Sequence, residues 1–419
     1  MKKALLIGTY GQSKVKEVCE DQLRELGSLG QTYGLHIQGT LPCPLREIDA
    51  ATFLGKGKVE EIRLLATEVD VVVFDDEISP QQQRNLEKAI GKSVIDRAEL
   101  ILGVFAQRAQ TKEARIQVEL AETKYQLPRL VGLWTHLGRQ RTGGSGGHLK
   151  GEGEKQIELD RRRLKSRIDQ LQKELKVVKQ QRELQRKART RSGIPSFAIV
   201  GYTNVGKSTL MNALTEADVL VEDKLFATLD TTTRKYVLPN RQEILLVDTV
   251  GFIRKLPHLL VAAFKSTLEE AVEADILLHL IDASNPEALA QAATTLEVLK
   301  ELGADKHPRI TVLNKVDACE QRLMVDKLRW TYPKTVEISA KLGLGFDQLL
   351  ERMIQEISLL RKRVKLRIPQ SEYALVSELM QNGKVFSTEY EENDVLLDVE
   401  IPQLMEHKVK VYAETPSDG

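Results

Sequence analysis

Residues Gly201 to Ser208 read G-Y-T-N-V-G-K-S, directly after the apolar and partly β-branched run Phe197-Ala198-Ile199-Val200. Such a run suits a buried parallel strand. The next residues, Thr209-Leu210-Met211-Asn212-Ala213-Leu214, continue as a helix. Strand, glycine loop and helix in that order form the setting of a phosphate-binding loop. Without a Cβ at Gly201 and Gly206, the backbone can approach phosphate oxygens and aim successive N–H groups at them. The helix N-terminus adds positive partial charge. The cradle is therefore Gly201, Tyr202, Thr203, Asn204, Val205, Gly206, Lys207 and Ser208. Lys207 is expected to reach the β- and γ-phosphates, and the Ser208 hydroxyl to ligate Mg²⁺.

A glycine turn between any strand and helix has the same look, so the downstream motifs decide. A second strand, Glu243 to Val247, runs into Asp248-Thr249-Val250-Gly251, where Asp248 stands forty residues beyond Ser208. Its Asp can orient the Mg²⁺ shell, and the Gly251 N–H can sense the γ-phosphate. Between them lies Phe226-Ala227-Thr228-Leu229-Asp230-Thr231-Thr232-Thr233-Arg234, a polar stretch suited to a switch whose Thr closes over the metal. A third strand, Ile310 to Leu313, enters Asn314-Lys315-Val316-Asp317. The Asp317 carboxylate can accept hydrogen bonds from N1–H and the exocyclic amine of guanine, which adenine cannot supply. Lys315 offers its aliphatic stem to the base. Val336-Glu337-Ile338 then leads to Ser339-Ala340-Lys341, whose backbone can complete the guanine pocket. Five elements in this order imply GTP binding with Mg²⁺.

Two departures bear on mechanism. Phe252 follows Gly251 where many GTPases carry a water-positioning Gln, so intrinsic hydrolysis is expected to be weak and to depend on a partner or another group. Asn204 resembles the P-loop Asn of potassium-stimulated GTPases, in which K⁺ supplies charge; an ordinary polar loop residue is the other reading.

The length of 419 residues suggests two to four domains. No apolar run approaches a membrane span, and Met1 to Gly8 starts a strand rather than a cleavable signal. Cys19, Cys43 and Cys319 show no disulfide or metal spacing, which favours a reducing cytosol. A formal net charge of +1 conceals an uneven distribution: Glu154 to Arg191 carries fourteen Lys/Arg against six Asp/Glu. Basic charge concentrated in one segment favours an acidic partner such as nucleic acid.

The expected fold class is α/β and multidomain. Residues 1–110 read as a small α/β domain, with strands at Ala4 to Ile7, Val69 to Phe74 and Ser93 to Asp96 and a helix opening at Ser79-Pro80. Leu54 to Lys58 is read as a strand–helix connection rather than a second phosphate loop. Residues 111–192 read as a helical hairpin. Its first helix is Thr111 to Tyr125, and its second carries a 4-3 seam of Leu164, Ile168, Leu171, Leu175 and Val178. The basic, glycine-rich tip, Gly138 to Gly151, suits an RNA probe; a solvated helix face and a disordered linker are the bland alternatives. Residues 193–362 form the GTPase domain with a mostly parallel sheet. Residues 363–413 form a small α+β docking domain, with strands at Val364 to Pro369, Val385 to Tyr390, Val395 to Val399 and a possible further strand at Lys408 to Tyr412. Residues 414–419 are a tail.

Several strings are more specific than the P-loop: Gly55-Lys56-Gly57-Lys58-Val59-Glu60-Glu61-Ile62, Asp96-Arg97-Ala98-Glu99-Leu100-Ile101-Leu102, Phe105-Ala106-Gln107-Arg108-Ala109, Gln117-Val118-Glu119-Leu120-Ala121, Leu127-Pro128-Arg129-Leu130, Asp160-Arg161-Arg162-Arg163 and Leu225-Phe226-Ala227-Thr228-Leu229-Asp230. With them the chain closely resembles the HflX family of translational GTPases over nearly its whole length. The resemblance implies binding to the 50S ribosomal subunit and its rRNA, and separation of stalled 70S ribosomes under stress; the chain itself is expected to be cytoplasmic and monomeric, with at most peripheral membrane association. The resemblance assigns the Mg²⁺ threonine to Thr228 rather than Thr231, Thr232 or Thr233, and so makes Lys207, Thr228 and Gly251 the catalytic group. It maps the ribosome-probing tip onto Gly143 to Gly151, where this chain is richer in glycine and lacks the family's proline. Two other roles share these motifs: large-subunit assembly, and GTP-gated regulation of a membrane protease.

Overall fold

Four strands, β1 (Lys2–Tyr10), β2 (Leu35–Pro44), β3 (Val71–Phe74) and β4 (Ser93–Asp96), form a parallel sheet in the order β2-β1-β3-β4. The computed structural model describes residues 1–11, 15–130, 149–191, 194–215, 225–226, 229, 231–257, 272–319, 322–391, 393–402 and 405–413. β3 is buried at all four positions, as a parallel strand covered on both faces must be. The helix Pro80–Ile90 starts where the sequence places it: Ser79 Oγ accepts from Gln82 N at 3.2 Å, and the Gln82 side chain accepts from Ser79 N at 2.9 Å. Gly55 caps the helix Lys56–Leu65, so Leu54 to Lys58 does feed a helix; the preceding residues form a turn, Asp49 to Phe53, rather than a strand.

The helices Lys112–Gln126 and Leu149–Arg191 pack through the expected seam, with Leu171 seated on Ile116 and Leu120 and with Ile168, Leu175 and Val178 beside them. Arg167 clamps the Glu119 carboxylate with two bonds of 2.7 and 2.8 Å. Gly138 to His148 lie outside the described residues. Leu149 to Gly151, read as part of the tip, already belong to the second helix.

β5 (Ser196–Gly201), β6 (Thr232–Val237), β7 (Glu243–Asp248), β8 (Ile276–Asp282), β9 (Arg309–Asn314) and β10 (Thr335–Glu337) form a sheet in the order β10-β9-β8-β5-β7-β6. Only β6 runs antiparallel to its neighbour. The strand order reverses direction between β5 and β8, so the carboxyl ends of these two strands flank the crevice where such sheets bind ligands. β11 (Arg361–Pro369), β12 (Lys384–Glu391) and β13 (Asp394–Pro402) form an antiparallel sheet in the order β11-β13-β12. Val376 and Leu379 of the helix Tyr373–Asn382 cover one of its faces. The expected strand at Lys408 to Tyr412 is instead a helical turn, Glu406–Val409, followed by a 3₁₀ turn, Lys410–Tyr412. Ion pairs of Glu406 with Lys362 and of Lys408 with Glu378 hold it there. The α/β class, the mostly parallel GTPase sheet and the small carboxyl-terminal sheet thus match the sequence reading.

The chain divides into two compact units. One comprises Met1–Val178, Val221–Asp230 and Ile253–Thr267; the other comprises Lys179–Leu220, Thr231–Phe252 and Leu268–Gly419.

Within β8, His279 is fully buried, edge-on to Tyr332 at 6.0 Å between ring centroids. Burial pushes its imidazole down to about 3, with Arg309 adding to the effect. The unfolded chain therefore binds a proton below its ordinary value of 6.5 that the fold refuses, and stability falls as pH drops through that window. The penalty should reach about 2 kcal/mol at about pH 5. Replacing His279 with Leu should remove it: melting curves at pH 7.5 and 5 should show a smaller acid-induced drop for the variant than for the parent.

Candidate functional site

β5 delivers the chain into the P-loop, and the helix Lys207–Thr215 carries it away. A Cβ on Gly201 would stand 2.5 Å from the Leu280 carbonyl oxygen, so the β5–β8 approach itself requires glycine there. Gly206 has φ of +97°, and a side chain on it would meet Asn314 Nδ2 at 2.4 Å. The Lys207 side chain is folded onto the loop, its Nζ 2.8 Å from the Tyr202 carbonyl oxygen and 3.4 Å from that of Gly201. Burial depresses its ammonium to about 8, against a smaller upward pull from Asp248.

The D-x-x-G turn is joined to this loop by main-chain bonds. Thr203 N donates to Phe252 O at 2.8 Å, and Phe252 N donates to Gly201 O at 3.1 Å. Thr249 is buried, its hydroxyl donating to Ile199 O at 2.7 Å. A Cβ on Gly251 would lie 2.9 Å from Lys207 Nζ and 2.8 Å from Thr203 Cγ2, so glycine leaves the room in which a terminal phosphate could meet both. Val250 is buried. The Phe252 ring is also buried, in the core with Ala198, Val200 and Val247, and it does not contribute a polar group.

Ser208 Oγ donates to Asp248 Oδ2 at 2.8 Å. A hydroxyl and a carboxylate are hard oxygen donors, and a site with one or two such groups plus substrate phosphates suits Mg²⁺. Among the described residues no cluster of three or more His, Cys, Asp or Glu could hold a metal without such help.

Asn314 ties the base-recognition motifs to the P-loop. Its Nδ2 donates to Val205 O at 2.8 Å, and its Oδ1 accepts from Ala340 N at 2.9 Å. Lys315 takes φ of +61° and donates to Asn204 O at 2.9 Å, while Asn204 itself has φ of +62°. Val316 N reaches Ile338 O at 3.3 Å. Asp317 is exposed in the 3₁₀ turn Val316–Ala318, Ser339 and Ala340 are buried, and Lys341 is exposed. The residues read from five separate motifs thus converge at one end of the sheet, apart from the Thr-rich segment. There Ala227, Thr228 and Asp230 lie outside the described residues, whereas Phe226 and Leu229 are buried.

Phe226 belongs to the amino-terminal unit, where its ring meets Phe105 edge-on at 4.6 Å. The segment that follows Phe252 does likewise. Lys255 Nζ lies 2.9 Å from Asp75 Oδ2 and 2.5 Å from Asp76 Oδ1, and Arg254 lies 3.4 Å from Glu25. Burial would lower the Lys255 ammonium, but the two aspartates override it and raise it. Asp75 is also held by Arg97, at 2.7 Å in the core of that unit. Sequence reading missed these anchors, and it missed Asp282, whose Oδ2 lies 2.6 Å from Lys315 Nζ.

The fold and the order of these motifs are those of a P-loop GTPase, an enzyme that hydrolyses GTP to GDP and phosphate. Three family models match in tandem: residues 20–106 the family described as GTP-binding GTPase N-terminal, residues 108–189 the GTP-binding GTPase Middle Region, and residues 196–315 the 50S ribosome-binding GTPase. The GTPase HflX of Chlamydia pneumoniae is 49% identical over 414 residues, covering 98% of this chain and 88% of that protein. The GTPase HflX of Escherichia coli K12 is 42% identical over 386 residues, covering 91% and 90% respectively. The chain belongs to the HflX family of GTPases. Among solved structures, a GTP-binding protein from Sulfolobus solfataricus in complex with GDP aligns over 85% of this chain and 98% of that one, at 27% identity and a TM-score of 0.45.

The depressed Lys207 ammonium gives the site a pH signature. Anionic phosphates favour the charged amine and raise its value on binding. Above about pH 8, nucleotide binding should therefore take up a proton. Titration calorimetry of GDP at about pH 9, in buffers of different ionisation enthalpy, should detect it. Lys207→Met should abolish the buffer dependence.

Proposed function

We propose that this protein is a GTP-driven factor that binds the 50S ribosomal subunit through its rRNA and separates stalled 70S ribosomes in the cytoplasm under stress. The observation that carries this reading is the tandem family match, ending in the 50S ribosome-binding GTPase model. It sits in a chain that concentrates basic charge in one helix, with fourteen Lys/Arg against six Asp/Glu from Glu154 to Arg191. Phosphate contacts by Lys and Arg supply most sequence-independent affinity for RNA. The glycine-rich stretch before that helix would let backbone enter a crowded RNA pocket.

In the proposed cycle the P-loop amides and Lys207 hold the β- and γ-phosphates. Ser208, oriented by Asp248, and Thr228 would hold Mg²⁺, which would neutralise charge on the phosphate oxygens. Water adds to the γ-phosphorus as the bond to the β–γ bridging oxygen breaks, leaving GDP and phosphate. Gly251 N–H and Thr228 close on the γ-phosphate, and both are released when it leaves. Phe252 supplies no group to orient the water, so the ribosome has to complete the site. Asn204 would hold K⁺ near the phosphates. Asp317 selects guanine, with Lys315 against the base and Ser339, Ala340 and Lys341 closing its edge.

Purified protein with GTP or a non-hydrolysable analogue should shift a 70S sedimentation profile toward free subunits; an unchanged profile at saturating protein would sink the splitting role. Deleting Gly143 to Gly147 should abolish the shift and spare GTP affinity. Exclusive binding to immature large subunits would instead indicate an assembly factor. Hydrolysis should rise at least about tenfold with 50S subunits, and further in K⁺ than in Na⁺.

The base assignment is separable. Asp317→Asn should lose guanine selectivity, weakening GTP by about a hundredfold relative to xanthosine triphosphate in competition binding.

A further inference from the structure

We infer that Asp282 is a positioning residue for the guanine nucleotide, acting through Lys315. β8 and β9 pair in a register that sets Asp282 opposite Asn314 at the carboxyl edge of the sheet. Just beyond, Ala283 N donates to Asn314 O at 2.9 Å. The carboxylate is fixed from one side and used from the other. Its Oδ1 accepts from Ser284 N at 3.0 Å and from Ser284 Oγ at 2.6 Å, which stops it rotating. Its Oδ2 holds Lys315 Nζ at 2.6 Å, and the same ammonium reaches the Asn204 carbonyl at 2.9 Å. The Asp282 side chain is 11% exposed and that of Lys315 33%, so the pair is partly shielded from water.

Lys315 and Asn204 both have left-handed backbone, with φ of +61° and +62°, a conformation that residues with side chains adopt only where neighbouring contacts hold it. The ammonium supplies one such contact, to the Asn204 carbonyl, while the Lys315 carbonyl accepts from Ala318 N at 3.0 Å. Asp282 fixes the ammonium, and with it the four-carbon stem, which otherwise samples many rotamers. The stem is then a preformed plane beside the base rather than one ordered at the expense of binding. A base contact is the same whatever the number of phosphates. Removing Asp282 should therefore weaken GDP and GTP equally, unlike a defect at Gly251 or Thr228. This inference rests on Lys315 serving as the base platform.

The test measures Kd for fluorescent GDP and GTP analogues, with steady-state hydrolysis, in the full-length protein. Asp282→Asn should raise both Kd values about tenfold, with the loss in kcat/KM carried by KM rather than by kcat. Asp282→Glu should recover part of the affinity. Combining Asp282→Asn with Lys315→Ala should bind no more weakly than Lys315→Ala alone, because the carboxylate acts only through the lysine. Ser284→Ala, which frees the carboxylate to rotate, gives a smaller loss in the same direction and serves if Asp282→Asn does not fold. Wild-type Kd values for Asp282→Asn and Ser284→Ala, alongside weakened binding by Lys315→Ala, would overturn the inference alone. Wild-type values for Lys315→Ala would overturn the platform reading beneath it. A lower Tm with unchanged Kd would reduce Asp282 to a structural role and also overturn the inference.

Discussion

The amide of one buried asparagine keeps the nucleotide site a single object. Asn314 donates from its NH₂ to Val205 O in the P-loop, and its oxygen accepts from Ala340 N in the facing turn. Neither group has water to fall back on, since Asn314 is only 2% exposed. An amide offers a donor and an acceptor in fixed opposition, so moving either loop leaves a buried polar group unmet. Gly206 lets the amide come so close, and the β8–β9 pairing sets the strand that carries it. The phosphate cradle and the base pocket consequently share one geometry.

Much of this is legible in the sequence because β5, β7 and β9 are apolar runs that end in motifs with few other uses. β8 lacks such a signal. Ile276–Asp282 is buried at all seven positions, so it has no period, and an apolar run without one cannot be told from a buried helix. Asp282 stays hidden for the same reason, because its partner is chosen by strand register and not by spacing along the chain. β2 is obscured differently. It carries Gly39, Pro42 and Pro44, residues that argue against a strand unless it lies at a sheet edge, where β2 does lie. Lys408 to Tyr412 errs the other way. Its alternation mimics a strand, yet Val409 is buried while Val411 is 86% exposed, and ion pairs at Glu406 and Lys408 hold a helical turn. Five residues are too few for periodicity to outweigh two local contacts.

The segments at Phe226 and after Phe252 show a second limit of reading by motif. Spacing assigns Phe226 and Arg254 to the GTPase domain, because D-x-x-G and its neighbours are defined along the chain. Packing assigns them to the amino-terminal unit, through Phe105, Glu25, Asp75 and Asp76. Charges that look like solvated loop residues in sequence are there partnered by carboxylates, one of them fully buried.

That allocation bears on how the protein can be taken apart. A fragment cut at the sequence boundaries of the GTPase domain would carry Phe226 without its aromatic partner and Lys255 without its carboxylates. It would keep the P-loop and the guanine motifs, but its switch segments would be free to find other resting places. Rates measured on such a fragment would describe a different molecule from the intact chain. Faithful dissection of this protein therefore calls for point substitutions in the full-length polypeptide.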